Sequence, residues 1–203
     1  MKNLKIISML LVGLLAFGSL FSCSSVEPEV LTATSAKVEY VVNLSQNLLD
    51  AATVTVYYID ANGQQAQENA TSAIWTKTVN YSTLPTDAGF NVQSTLKGEP
   101  TMEEYLVEAD GQMTVTVLDQ YGKPFGSPFV GNKQEAKGQL GPNFLGQFLT
   151  RISIRLFEAK AIAADGTVSD TTITWGNNAD NVDPNRDTEI STDGATGTTR
   201  GDV

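Results

Sequence analysis

Cys23 is the one cysteine in a chain of 203 residues that has no histidine. Those two facts decide most of the chemistry open to it. A Cys/His zinc site, a Ser-His-Asp triad and a Cys-His nucleophile all need residue types that are missing. Catalysis would have to rest on carboxylates, Lys, Tyr or Ser. The densest carboxylate group is Glu99, Glu103, Glu104, Glu108 and Asp110. A glycosidase needs two carboxyl groups facing each other across the scissile bond, about 5–9.5 Å apart. Placed on a helix, Glu104 and Glu108 instead share one exposed face, and the first-turn glutamates complement the helix dipole. A solvated face is therefore the favoured account, and a carboxylate-based glycan hydrolase the alternative.

Three further constellations carry less. Asn181, Asp183, Asn185, Asp187 and Glu189 recur at every second position, as oxygen ligands do in a calcium loop. That loop needs glycine at its sharp sixth position and an acidic twelfth. Counted from Asp183 these are Thr188 and Gly194, so the pattern fails and no metal site is expected. Arg200-Gly201-Asp202 reproduces the tripeptide that integrins recognise, which arises by chance in chains of this length. Tyr121, Phe125, Phe129 and Phe144 flank a glycine-rich stretch and suit either an aromatic ligand platform or a plug for the end of a β domain, the plug being favoured.

Cys23 itself sits at the end of a leader. Lys2 and Lys5 precede the apolar run Ile6–Phe21, which is shorter than the roughly 20 residues of a membrane span and suits a signal-peptide core. Leu20-Phe21-Ser22-Cys23 resembles the bacterial lipobox, with an aliphatic residue at −3 and a small one before the cysteine; Phe21 is bulkier than the pattern usually has there. The resemblance implies lipid transfer to Cys23 and cleavage before it. An ordinary secretory signal would leave an unpaired thiol in an exported protein, and lipidation removes that difficulty. Two or three acyl chains anchor firmly where one binds reversibly. Ser24 in place of Asp at +2 resembles lipoproteins passed on to the outer membrane. Glu27 and Glu29 resemble the acidic export signals of Bacteroidetes-type surface lipoproteins. The expected location is the cell envelope, as a surface-exposed outer-membrane lipoprotein whose contact with the membrane is the lipid on Cys23. Asp170-Thr171-Thr172 resembles the short O-glycosylation sequon of Bacteroidetes exported proteins.

The formal charge of −10 becomes more negative once Lys2 and Lys5 leave with the leader. Such a chain repels phosphates, so no nucleic-acid partner is expected. No cofactor is expected either.

The remaining chain divides into a tether, residues 23–35, a β domain, 36–175, and an acidic tail, 176–203, too poor in large aliphatics to offset the entropy of ordering. Within the domain, Val38, Tyr40, Val42 and Leu44 alternate with polar residues as one face of a strand, and Leu48 and Leu49 anchor a single helical turn or a bulged crossing. Thr53–Ile59 is β-branched and aromatic, as strands are, and Asn62-Gly63 marks a turn. Residues 64–71 are polar and expected as loop; strands are expected at 73–81 and 89–97. Met102, Tyr105, Leu106 and Ala109 form a helix stripe, with Thr101 and Glu104 at capping-box spacing, so a short helix is favoured there over an edge strand. Asp110-Gly111 is expected to turn into a strand at 112–119. The Thr-Val-Thr-Val of that strand and the Asp119–Pro124 turn resemble pieces of bacterial immunoglobulin-like modules. Residues 125–130 suit a returning strand, 131–146 a long loop, 148–161 the longest strand, and 168–175 the last. Seven or eight strands with tight turns and no βαβ rhythm predict one antiparallel immunoglobulin-like β-sandwich with a short helix, a small β-barrel being the alternative. The expected function is a non-enzymatic envelope lipoprotein displaying a binding or structural module. The alternatives are a glycan hydrolase and a subunit of an adhesive or fimbrial assembly.

Overall fold

A computed structural model describes residues 29–176. The chain divides between Leu31 and Thr32, and all the described strands and helices belong to the unit that begins at Thr32.

Alternation builds the first sheet. β1 (Ala33–Leu44) buries Ala36, Val38, Tyr40, Val42 and Leu44 and turns the intervening residues outward. α1 (Gln46–Ala51) is the single turn read from Leu48 and Leu49, both buried. Ser45 caps it: its Oγ accepts from the Leu48 N–H at 3.4 Å and from the Glu108 N–H at 3.0 Å. That turn carries the chain across to β2 (Ala52–Ile59) in the second sheet. β3 (Gln65–Ala70) corrects the polar loop expected at 64–71. It is an edge strand pairing only with β2, so Gln65, Gln67 and Asn69 face solvent and polarity says nothing against strand. β4 (Ile74–Tyr81) returns to the first sheet and β5 (Thr86–Leu96) to the second.

β6 (Tyr105–Asp119) corrects both the helix at 99–109 and the turn at Asp110-Gly111. Every odd residue from Tyr105 to Asp119 is buried. The strand pairs along the whole of β1 on one side, and β8 (Gln134–Leu140) and β7 (Phe129–Val130) share its other side. A helix of two turns could not have satisfied those backbone groups. Thr101 caps nothing; its N–H and that of Met102 donate to the Tyr105 hydroxyl at 2.7 and 3.0 Å. Gly111 lies in mid-strand because the Phe90 ring fills its side-chain position: a Cβ there would sit 2.7 Å from Phe90 Cε2.

The glycine-rich stretch at 131–146 is not a long loop, since it holds β8 and the start of α2 (Pro142–Arg155). α2 also replaces most of the strand expected at 148–161. Its Leu145, Phe148, Leu149 and Ile152 are buried at helical spacing, and Pro142 opens it where a missing N–H costs nothing. Alternation of Phe148, Thr150, Ile152 and Ile154 coincides with that stripe at two positions. β9 (Phe157–Ile162) keeps only the end of the expected strand. β10 (Val168–Asp170) is likewise shorter than the 168–175 expected. After Thr171 the chain leaves the ladder, with the Gln65 amide donating to the Thr174 carbonyl and accepting from the Gly176 N–H, and Trp175 is buried.

All pairings are antiparallel, in the orders β4-β1-β6 followed by β7 and β8, and β10-β9-β5-β2-β3. The two sheets do not close into a barrel. The domain is an all-β sandwich whose core lies between their inner faces, with Tyr40 and Phe90 at its centre in an edge-on contact of 6.2 Å. β9 pairs with Thr86–Asn91 of β5, and beyond that point α2 takes its place, the Leu156 carbonyl accepting from the Val92 N–H. The open side of the sandwich next to β9 is where the candidate site lies.

Candidate functional site

β9 reads Phe-Glu-Ala-Lys-Ala-Ile. Pairing sets Glu158 opposite Phe90 and Lys160 opposite Ala88, both core residues, so the two charged side chains share the inner face with Ile162. Glu158 is 6% exposed and Lys160 11% in their side chains, and they form an ion pair of 3.4 Å. Lys160 faces Asp170 directly across the β9–β10 ladder and bonds to it, while the Asp170 side chain is 90% exposed. The Lys160 ammonium also lies 4.8 Å from the centre of the Phe129 ring, which β7 brings over from the other sheet. The Glu158 carboxylate packs against Gly131, where any Cβ would overlap it.

Burial pushes the Glu158 carboxyl above the usual carboxylate range; Lys160 and the Asn132 N–H pull it back without cancelling that rise. Burial opposes the charge on Lys160 as well, but the Asp170 hydrogen bond and the Glu158 charge outweigh it and raise its pKa. Glu158 Oε2 is buried with no hydrogen-bond partner, a costly condition for a carboxylate oxygen. Around these groups opens a cavity of about 400 Å³, lined by Asn132, Gln134, Glu158, Lys160, Asp170 and Thr171 among others.

The opposite side of the sandwich shows what a satisfied version looks like. There Glu68 on β3 accepts from Tyr58 Oη at 2.9 Å, Trp75 Nε1 at 3.2 Å and Lys77 Nζ at 2.6 Å. Lys77 lies 5.0 Å from the Tyr58 ring centre. The Lys77 hydrogen bond is the main reason the Glu68 carboxyl lies below its ordinary range. Both oxygens of Glu68 are used. One carboxylate–lysine pair is thus saturated, and the other retains an unmet acceptor beside a cavity.

Glu99, Glu103, Glu104 and Glu108 are exposed on β6 and its lead-in. Glu104 accepts from Gln139, and Asp110 bonds to Asn43 and pairs with Lys133. They keep the solvated face read from the sequence, though on a strand. The four loop aromatics do not converge: Tyr121 and Phe144 are exposed, Phe125 packs beside Gly166, and only Phe129 reaches the Lys160 site. Asp170, Thr171 and Thr172 line the cavity. Cys23, the alternating Asn/Asp/Glu pattern at 181–189 and Arg200-Gly201-Asp202 lie outside the described residues. Sequence reasoning missed Glu158 and Lys160. The available signal was their parity with Leu156 and Ile162, two charges on an otherwise apolar face. No protein-family model matches the chain, and no curated protein matches it.

Proposed function

We infer that the protein is a non-enzymatic envelope lipoprotein that presents its β-sandwich as a binding module, held to the membrane through lipid on Cys23. The observation that carries this reading is the leader ending in Leu20-Phe21-Ser22-Cys23, the only cysteine of the chain. The polar cavity beside β9 supports the binding half, because Glu158, Lys160 and Asp170 gather charge on one wall of it.

A hydrolase reading would now rest on Glu158 and Asp170, two carboxylates on one cavity wall. Lys160 stands against it. Its ammonium bonds to both carboxylates, in the space a glycosidic oxygen and an attacking water would need. The fimbrial reading would use an open sheet edge. The edge strands β3 and β4 carry the inward-pointing Glu68 and Lys77, a device that discourages strand addition there, so this reading would have to use the short opening beside β9. Cys23→Ala tests the anchor. Loss of fatty-acid labelling and release from the membrane fraction are expected, and unchanged labelling and fractionation would overturn it.

A further inference from the structure

The cavity lies where the β9 backbone runs out of partners. β10 pairs with β9 only across Lys160–Ile162. One more bond extends the ladder, the Thr171 N–H donating to the Ala159 carbonyl at 3.3 Å, and the chain then departs. Backbone groups alternate sides along a strand, so that bond marks Phe157 and Ala159 as the residues whose backbone groups point away from β5, the Ala159 carbonyl being already taken by Thr171. Among the described residues no strand pairs with Phe157–Ala159 on that side. Phe157 and Glu158 give a free edge of about 7 Å, with the Ala159 N–H at its end, and it opens on a cavity of about 400 Å³, within the size range of ligand sites.

The charge of the wall is as specific as its shape. Lys160 is shared by Glu158 and Asp170, which leaves the three groups with one net negative charge. Glu158 Oε2 is buried against Gly131, so the acceptor an incoming group can reach is the Asp170 carboxylate, whose side chain is 90% exposed. An incoming group that supplies positive charge and N–H donors can meet Asp170 and the unpaired backbone of β9 together.

We propose that this cavity binds an extended basic peptide segment of a partner protein. Two of its residues add to the free edge of β9 in the place β10 vacates, and a Lys or Arg side chain lies against Asp170, with the Glu158 charge behind it. Main-chain bonds at a sheet edge supply affinity in such strand addition, and flanking side-chain contacts supply selectivity. A peptide fits better than a small cation because the unpaired backbone and the excess negative charge lie on one wall. The proposal names the ligand class of the inferred binding module and rests on that reading.

The test uses the full ¹⁵N-labelled chain, solubilised in detergent, titrated with the capped peptide Thr-Val-Lys-Val-Thr and with its Thr-Val-Glu-Val-Thr counterpart. Amide shifts are expected to centre on Phe157, Ala159 and Thr171, with the lysine peptide binding at least about tenfold more tightly, as loss of a charge-assisted contact would give. Glu158→Gln and the exposed Asp170→Asn should each shrink that preference, and Asp170→Asn keeps the measurement available if the buried variant folds poorly. Equal binding of the two peptides, shifts centred elsewhere, no binding at millimolar peptide, or self-association of the chain through this edge would each overturn the proposal. Membrane fractionation of the same protein separates the two readings: an anchored protein that ignores the peptide sinks this proposal alone, and a released protein that binds it sinks the anchor alone.

Discussion

Replacing Gly111 by alanine isolates one packing relation on which the centre of the sandwich depends. The residue lies in mid-β6, paired with Val42 on one side and Gln134 on the other. A Cβ would come within 2.7 Å of Phe90 Cε2 and 2.9 Å of Cζ, where carbon atoms rest at about 3.5–4.0 Å. Phe90 has no solvent exposure and stands edge-on to Tyr40, so its ring has nowhere to retreat. Overpacking of this kind costs about 1–3 kcal/mol. Loss of glycine's backbone freedom returns about 0.5–1 kcal/mol. At the middle of those ranges the net expectation is a loss of about 1 kcal/mol, or roughly 2–4 °C in Tm for a domain of this size. Urea titration followed by circular dichroism measures it. Phe90→Leu removes the ring atoms concerned, so the double variant should be more stable than the sum of the two single losses by at least about 0.5 kcal/mol. A neutral or stabilised Gly111→Ala, or strict additivity with Phe90→Leu, would refute the reasoning.

The Glu158 carboxyl is raised in the folded state above its ordinary value of 4.5. Between that value and the folded one, the folded protein holds more protons than the unfolded chain, so its contribution to stability falls as pH rises through the window and is greatest below it. The stability difference between wild type and Glu158→Gln, measured by urea midpoints from about pH 4 to about pH 8, should therefore move in favour of wild type on acidification; a flat difference would count against the buried carboxylate. Trp175 is 3% exposed although it lies beyond the last strand. Trp175→Ala should cost about 3–5 kcal/mol. A loss below about 1 kcal/mol would mean that Thr171–Gly176 contributes little to the fold.

Where the sequence misled, it did so for a common reason: a short window can satisfy two periods at once. Tyr105, Leu106 and Ala109 fit a helix stripe, and Tyr105, Val107 and Ala109 fit a strand; the backbone demands of β1 and β8 decide between them. Phe148 and Ile152 fit both patterns as well, and there helix prevails because β5 beyond Asn91 has α2 beside it rather than β9. The polar edge strand β3 has too few buried positions to show any period.

Residue types and local alternation determined the class of this protein. They set the strands β1, β2, β4 and β5 and the all-β sandwich built from them. Those signals are local, because alternation follows from the pleat. Only the tertiary structure decided where the candidate site lies. Glu158, Lys160 and Asp170 are ordinary charged residues in sequence. The burial of Glu158 and Lys160 and their link to the exposed Asp170 arise because β10 ends early, Gly131 leaves room for a carboxylate, and Phe129 arrives from the opposite sheet. Each of these is a contact between segments distant in the chain, which no local pattern encodes.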